Sequence, residues 1–339
     1  GTAADRPRGR DGAVRNDPAL RLARQSATLL PAYAGLTLIV WIALLLAGMD
    51  SFVALCLALS TLSSSGITPG LGLPATGAGV VGEAVIFVFL CIGLSRRFLP
   101  GAVLVDRSRP FLRDHEVQTA MVVMLVVPAL LFALRWLAGG APGQTLGTAL
   151  HALWGALFMT LSFLTTAGLE SASWATTRTW SGLGSAGLVL AGLAIVGGGI
   201  ATTTGGVKLL RVFALFKHGE GELQRIVHPN AVGGGGDGDR RLRDKGAFAA
   251  WVFFMLYALT LALGLGALTF AGQPFGQAMV LAVSAVSTTG PLATLAADPA
   301  LRYADLGPGV KTVLAGLMVL GRMEVLAILA LLAPSAWRR

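Results

Sequence analysis

The stretch of sequence that decides the fold occurs three times in this chain. It reads SFVALCLALSTLSSSGI at residues 51–67, LWGALFMTLSFLTTAGL at residues 153–169 and FGQAMVLAVSAVSTTGP at residues 275–291. Each copy is an apolar run with a Ser six positions before a Gly, and hydroxyl residues lie between them. A short apolar helix that ends in hydroxyls and a glycine, used three times, is typical of a pore helix and its filter loop. The sequence therefore predicts part of an ion pore.

The residues that end each copy have the chemistry of a cation filter. An alkali cation that leaves water needs close oxygen ligands, and backbone carbonyls arranged in a ring supply them. Glycine permits the bent backbone that points carbonyls inward, while neighbouring hydroxyls satisfy freed backbone groups or act as ligands. An ordinary glycine-capped helix end is the alternative for any single copy, and the repetition favours the filter. The predicted filter residues are Ser64, Ser65 and Gly66, then Thr166, Ala167 and Gly168, and finally Thr288, Thr289 and Gly290.

Composition places the chain in a membrane. Hydrophobic residues make up 54% of the 339 residues and charged residues 13%, and the mean hydropathy is +0.72. This leaves too little polar surface to cover a soluble globule. We predict an all-α polytopic membrane protein of repeated helix, pore loop and helix units around a pseudo-symmetric ion pore, with three of four repeats present. The predicted spans are 26–49, 78–94, 117–134, 183–216, 247–271 and 310–333.

Two of the predicted pore helices differ in length. The segment 52–62 is too short to cross a bilayer, which is the signature of a re-entrant helix. The segment 146–164 could cross if it is considered alone. We assign it as a pore helix because its counterparts in the other two copies are too short to cross.

Basic residues lie on one side of this arrangement. They precede the first predicted span, follow the second, separate the fourth from the fifth and end the chain. The positive-inside rule makes these segments cytoplasmic, so the filter glycines face the outer side. The net charge of +9 therefore reflects the basic cytoplasmic segments of a membrane protein. No basic run is interleaved with aromatic residues, as a nucleic-acid-binding surface would require.

The fourth predicted span contains a run that should interrupt its helix. The stretch GGGIATTTGG occupies residues 197–206, and glycine costs roughly 1 kcal/mol relative to Ala inside a helix. A flexible loop beneath a filter would obstruct the ion path, so we predict a gate; a bent helix with close helix contacts is the alternative. The predicted gate residues are Gly197, Gly198, Gly199, Thr202, Thr203, Thr204, Gly205 and Gly206, together with Arg322.

Charged residues within or beside the spans need a reason. Arg322 lies near the middle of the last predicted span, where a charge costs at least about 2.5 kcal/mol. It either faces the pore as a barrier to cations or forms a pair with Glu324 or another helix. Asp50, Glu83 and Glu170 are expected near the outer face, where they either concentrate cations at the mouth or are solvated surface groups.

Nothing in the sequence indicates an enzyme. Cys56 and Cys91 fall within apolar segments, and the four histidines lack the spacing of metal ligands. A membrane enzyme would need an intramembrane catalytic group, such as paired carboxylates or a Ser with a His base, and the sequence shows none. We expect no catalytic residues and no cofactor.

At the level of whole motifs, the chain resembles the Trk/Ktr/HKT potassium transporters, and specifically the bacterial Trk-type membrane subunit. The resemblance runs from about Asp17 onward. It rests on LAGMDSFVALCLALSTLSSSGI, FLTTAGLES, GGGIATTTGGVKLLR, VHPNAV, STTGP and GLMVLGRMEVLAILALLAPSAWRR. It implies that Gly66, Gly168 and Gly290 are filter glycines, that 197–206 is the intramembrane gating loop and that Arg322 faces the pore.

The resemblance also implies a function and partners. These are K⁺ transport across the cell inner membrane, with K⁺ bound at the filter, a homodimer in membrane lipid and a cytosolic nucleotide-binding regulatory subunit. We expect the family's first repeat to be absent. The predicted organisation is a basic cytoplasmic segment at 1–25, pore repeats at 26–105, 106–216 and 247–339, and a cytoplasmic loop at 217–246.

Departures from the family pattern leave two alternatives. Ser65 stands where a second Gly is usual, and Ile67 and Leu169 replace the common Phe. A less selective Na⁺/K⁺ conductor is one alternative. A non-conducting membrane scaffold or an incomplete fragment is the other, because three quarters of a ring enclose no pore by themselves.

Overall fold

The computed structural model describes residues 18–70, 72–77, 79–94, 115–137, 145–183, 186–199, 204–227, 237–297 and 300–323. The regular secondary structure of these residues is helical, and they include no β-strand. The α-helices are α1 (Pro18–Leu46), α2 (Ser51–Ser63), α3 (Gly79–Gly93), α4 (His115–Leu137), α5 (Leu146–Leu164), α6 (Trp174–Ser181), α7 (Ala186–Val196), α8 (Leu209–Val227), α9 (Asp237–Phe270), α10 (Phe275–Val286), α11 (Leu292–Ala296) and α12 (Pro308–Arg322). Two 3₁₀ turns cover Leu73–Thr76 and Tyr303–Asp305.

The helices form three units that share one plan. In the first unit α1, α2 and α3 pack against one another, and in the third α9, α10 and α12 do the same. In the second unit α5 packs against both α4 and α7. The middle helix of each unit carries the repeated sequence. This confirms the predicted fold class, an all-helical protein of repeated helix, pore helix and helix units.

The outward faces of the long helices are apolar. Leu30 on α1, Leu125 on α4 and Leu263 on α9 are 72%, 73% and 66% exposed. By length and composition, four helices in the described part of the chain could cross a membrane, or five if α6 and α7 count as one bent span. A chain with such faces needs lipid around it, so the prediction of a multi-pass membrane protein is confirmed.

Helix α5 is the exception among the long apolar helices. It is 19 residues long and passes the length test for a span, yet 50% of it is buried inside the protein. Every residue from Phe158 to Leu169 is buried. A lipid-facing span would expose one side along this length, so burial supports its assignment as a pore helix.

The fourth predicted span is interrupted where the glycine run lies. Helix α7 ends at Val196 and α8 begins at Leu209. The two ends are joined by backbone hydrogen bonds from the Val207 N–H to the Ile195 carbonyl, at 2.9 Å, and from the Lys208 N–H to the Val196 carbonyl, at 2.9 Å. The described ends of the intervening stretch, residues 197–199 and 204–206, therefore lie side by side, and residues 200–203 lie outside the described residues. We call residues 197–206 the intramembrane loop.

Candidate functional site

The three pore helices end in the same backbone turn. Ser64, Thr166 and Thr288 occupy equivalent positions two residues before the repeated Gly, and their φ angles are 45°, 53° and 57°. The left-handed region costs a non-glycine residue about 1 kcal/mol or more. The same strained conformation at three equivalent positions shows that the repeats share this backbone feature as well as their sequence pattern. Strain of this kind is concentrated at functional sites.

Hydrogen bonds define the type of turn. In the first and third loops, two successive backbone N–H groups donate to carbonyls in the last turn of the pore helix. One bond spans five residues and the other spans three, which is the pattern of a Schellman motif. The bonds are Ser65 to Ser60 and Ser64 to Thr61 in the first loop, and Thr289 to Ser284 and Thr288 to Ala285 in the third. In the second loop the Thr166 N–H makes the corresponding three-residue bond to Phe163, but the longer bond to the Ser162 carbonyl comes from the Gly168 N–H, at 3.2 Å.

The repeated Ser holds the loop from behind. The Ser162 hydroxyl donates to the Leu169 carbonyl at 2.8 Å, and the Ser284 hydroxyl donates to the Thr289 carbonyl at 2.8 Å. In the first loop the Ser65 hydroxyl lies 3.4 Å from Ser60 Oγ. The structure thus gives a reason for this Ser in the second and third copies, where its hydroxyl holds a loop carbonyl.

The three loops converge. A Cβ added to Gly66 would meet the carbonyl oxygen of Ala167 in the second loop and would lie 3.6 Å from Pro291 in the third. A Cβ on Gly168 would lie 2.9 Å from Thr289 and 3.1 Å from Pro291. Residues 100 or more positions apart in sequence thus meet at one place. Scattered loops would have excluded a shared ion path.

Gly290 differs from the other two repeated glycines. Gly66 and Gly168 both have φ +66°, whereas φ of Gly290 lies outside the left-handed region. Nothing lies within 4 Å of a Cβ built on Gly290. Pro291 follows and restricts this residue to extended conformations. The structure gives a steric need for glycine at the first two positions but not at the third.

The hydroxyls in the three equivalent turns have different partners. Thr166 Oγ1 accepts a hydrogen bond from the Gly205 N–H at 3.1 Å. The Ser64 hydroxyl donates to the Ser63 carbonyl at 2.8 Å. Thr288 Oγ1 is buried and has no hydrogen-bond partner among the described residues. A buried hydroxyl without a partner costs free energy, so Thr288 offers an oxygen that a dehydrated cation would satisfy.

The intramembrane loop lies against all three units. Gly205 is so close to the Ser287 carbonyl, at the base of the third loop, that a Cβ would meet it. On the other side, a Cβ on Gly198 would lie 3.2 Å from Thr165 Cα in the second loop. A Cβ on Gly199 would lie 2.7 Å from the Leu94 carbonyl, just beyond α3. Thr204 is buried, while Thr202 and Thr203 lie outside the described residues.

Arg322 is the last residue of α12, and its side chain is exposed. A Cβ on the preceding Gly321 would meet the carbonyl of Val286, the last residue of pore helix α10. Helix α12 therefore passes the base of the third loop at this point. Glu324, its predicted alternative partner, lies outside the described residues.

The three carboxylates expected near the outer face have different surroundings. Asp50 is exposed, and Glu170 is half-buried; burial raises the pKa of Glu170, while nearby Arg178 lowers it. Glu83 is only 2% exposed, so the expectation of a solvated or mouth-lining group is wrong for this residue. Its oxygens accept hydrogen bonds from residues of the second unit. In the described part of the chain, no group of three or more His, Cys, Asp or Glu residues could hold a metal ion.

Tyr303 is a further residue at the site that the sequence analysis missed. Its hydroxyl lies 2.7 Å from Ser284 Oγ and donates to the Gly290 carbonyl at 3.0 Å. Burial raises the pKa of Tyr303, and the hydrogen bond with Ser284 lowers it. A lone Tyr in a segment between two helices gives almost no signal in sequence. The contact braces the third loop from behind.

Removal of the Tyr303 hydroxyl should destabilise the protein. We expect Tyr303→Phe to lower the free energy of unfolding by about 1 to 2 kcal/mol, because the Ser284 hydroxyl and the Gly290 carbonyl each lose one hydrogen-bond partner. Unfolding of the detergent-solubilised protein measures this. Tyr257→Phe is the matched control, since the Tyr257 hydroxyl is buried without a hydrogen-bond partner among the described residues. An equal loss in both variants would contradict the proposed brace.

Three convergent pore loops on an apolar helical scaffold define a class of protein: a polytopic membrane protein built from repeated pore units. The family model described as TrkH, cation transport protein, matches residues 84–338. The chain belongs to this family. The family consists of transport proteins, which confirms the expectation that the protein is not an enzyme.

Individual relatives agree with this assignment. The Trk system potassium uptake protein TrkH of Salmonella typhimurium is 30% identical over 319 residues, covering 94% of this chain and 63% of the relative. The Trk system potassium uptake protein TrkI of Halomonas elongata is 29% identical over 319 residues, covering 91% and 61%. The crystal structure of the potassium transporter TrkH from Vibrio parahaemolyticus matches with a TM-score of 0.77 at 26% identity, covering 96% of this chain and 67% of that one. The chain spans less than two thirds of the length of these curated relatives.

Proposed function

We propose that this protein transports K⁺ across the cell inner membrane. The observation that carries the proposal is the convergence of three loops with strained hydroxyl and glycine corners, since such corners present backbone and hydroxyl oxygens to a dehydrated cation. The relatives named as potassium uptake proteins support K⁺ as the ion. The predicted filter residues are the ligands in this proposal.

In the same proposal, the intramembrane loop is the gate. Its described glycines touch the bases of the second and third loops and the end of α3, which supports a position for the loop beside the place where the loops meet. An ion that passed between the loops would encounter it. Movement of the loop would open the path.

The resemblance to Trk-type subunits supports a proposal for assembly. The protein acts as a homodimer in the bilayer and is regulated by a cytosolic nucleotide-binding subunit. Light scattering of the detergent-solubilised protein tests the dimer. A monomeric mass at all concentrations would reject it.

Rubidium uptake tests the function. We expect ⁸⁶Rb⁺ to enter K⁺-starved cells that lack their own K⁺ uptake systems when they express the gene that encodes this chain. Uptake no higher than with an empty vector, at verified membrane abundance, would reject transport and favour a scaffold. Competition by excess Na⁺ distinguishes the remaining alternative. Strong competition would favour a less selective Na⁺/K⁺ conductor, for which Ser65 in the first loop is the supporting observation.

A further inference from the structure

A buried carboxyl group in the first unit holds the second filter loop. Glu83 lies in α3 and is 2% exposed. Its Oε2 accepts hydrogen bonds from Trp154 Nε1 at 2.7 Å and from the Ser171 hydroxyl at 2.8 Å. Its Oε1 accepts one from the Ala172 backbone N–H at 2.6 Å. All three donors belong to the second unit, so one side chain connects two repeats.

The three donors flank the predicted filter on both sides. Trp154 is in pore helix α5, before the loop, whereas Ser171 and Ala172 follow Gly168 by three and four residues. Glu83 therefore joins the chain that leaves the filter to the helix that leads into it. The N–H of Ser171 also lies 3.3 Å from the Met159 sulfur, which adds a further contact between the same two segments. The exit of the second loop is held at several points.

The position of Glu83 on α3 is itself fixed by packing. The rings of Phe87 on α3 and Trp154 on α5 lie 5.5 Å apart between centroids. Helices α3 and α5 are in contact. A carboxyl group that is removed from water is tolerated only when hydrogen bonds satisfy it, and here three donors do so. The arrangement fixes the carboxyl and the loop relative to each other.

We infer that Glu83 is a positioning residue for ion selectivity, acting through the second filter loop without contact with the ion. The inference rests on the proposed function. Tyr303 braces the third loop from its own unit, whereas Glu83 braces the second loop from a neighbouring unit. The spacing between the first and second loops therefore depends on this carboxyl. Gly66 abuts Ala167 across that same boundary, so a small shift of the second loop changes the distances between carbonyls.

The Glu83→Gln variant tests the inference with little change in size. The Gln side chain has one acceptor oxygen, and its NH₂ group replaces the other carboxyl oxygen. The NH₂ group cannot accept a hydrogen bond from the donor that faces it, so at least one of the three bonds is lost. We expect the Na⁺ to Rb⁺ permeability ratio to rise roughly threefold or more, because loss of one such bond shifts a conformational equilibrium by that order. We also expect faster amide hydrogen exchange in the peptide that covers residues 168–173.

Glu116→Gln is the matched control. Glu116 is another buried carboxyl, 3% exposed, in the first turn of α4 and outside the repeated segments and their loops. Its replacement tests whether loss of any buried carboxyl changes selectivity through general destabilisation. We expect an unchanged permeability ratio and unchanged exchange at residues 168–173.

The outcomes separate this inference from the proposed function. If the unmodified protein takes up no Rb⁺, the proposed function fails, and hydrogen exchange still tests whether Glu83 holds the loop. If the unmodified protein conducts and Glu83→Gln keeps its permeability ratio, the inference is overturned, whatever the exchange rates. If Glu83→Gln does not fold, Trp154→Phe and Ser171→Ala each remove one donor and decide the question by the same two measurements. A raised ratio in either supports the inference, and unchanged ratios in both overturn it.

Discussion

Replacement of Gly66 by Ala is expected to reduce Rb⁺ uptake at least about tenfold. Gly66 has φ +66°, a conformation that costs a residue with a Cβ about 1 to 2 kcal/mol. The new methyl group would also meet the backbone carbonyl oxygen of Ala167. A backbone oxygen cannot rotate away as the end of a side chain can, so the first and second loops would have to separate. The spacing of the carbonyls that form the proposed cation site would be lost.

Initial rates of ⁸⁶Rb⁺ uptake at matched membrane abundance measure this effect. Gly290→Ala is the comparison, because Gly290 occupies the equivalent position in the third loop and a Cβ there meets nothing within 4 Å. We expect a much smaller loss in that variant. Equal losses in the two variants would contradict the steric argument and would indicate that glycine is needed at both positions for another reason.

The repeated pattern was sufficient to predict the three units. A Ser six residues before a Gly, with hydroxyls between, recurs at Ser60, Ser162 and Ser284, and in every copy the residue two before the Gly has a positive φ. The interruption of the fourth span was predictable for a similar reason, because a run of glycines has a direct local cost within a helix. A structural feature can be predicted from the sequence when its physical cause lies within a few residues along the chain.

The braces behind the loops could not be predicted in this way. Glu83 bonds to residues 71 and more positions away, and Tyr303 reaches the Gly290 carbonyl only because the chain folds back between α11 and α12. A carboxylate near the start of a span looks like a surface group in sequence, since burial depends on which unit packs beside it. The difference between Gly290 and the other two glycines was hidden for the same reason. The sequence shows three identical residues, and only the packing shows which of them touch a neighbour.

Filter and intramembrane loop meet through two contacts at Gly205. Its N–H donates to Thr166 Oγ1 at 3.1 Å, and its Cα side faces the Ser287 carbonyl with no room for a Cβ. We expect Gly205→Ala to raise Rb⁺ flux several-fold. The methyl group would push the loop away from Ser287 and weaken the bond to Thr166. A shift of about 1 kcal/mol against the closed position changes the ratio of open to closed loops about fivefold.

The sign of this effect distinguishes a gate from a packing element. Gly192→Ala is the matched control, since Gly192 lies in α7, a few residues before the loop, and a Cβ there meets nothing within 4 Å. We expect flux through that variant to stay at the level of the unmodified protein. Flux that falls in a folded Gly205→Ala protein would mean that the loop supports the filter instead of obstructing the path. Because Gly205 contacts the bases of the second and third loops, a shift of this residue should change flux through the proposed ion path in one direction or the other.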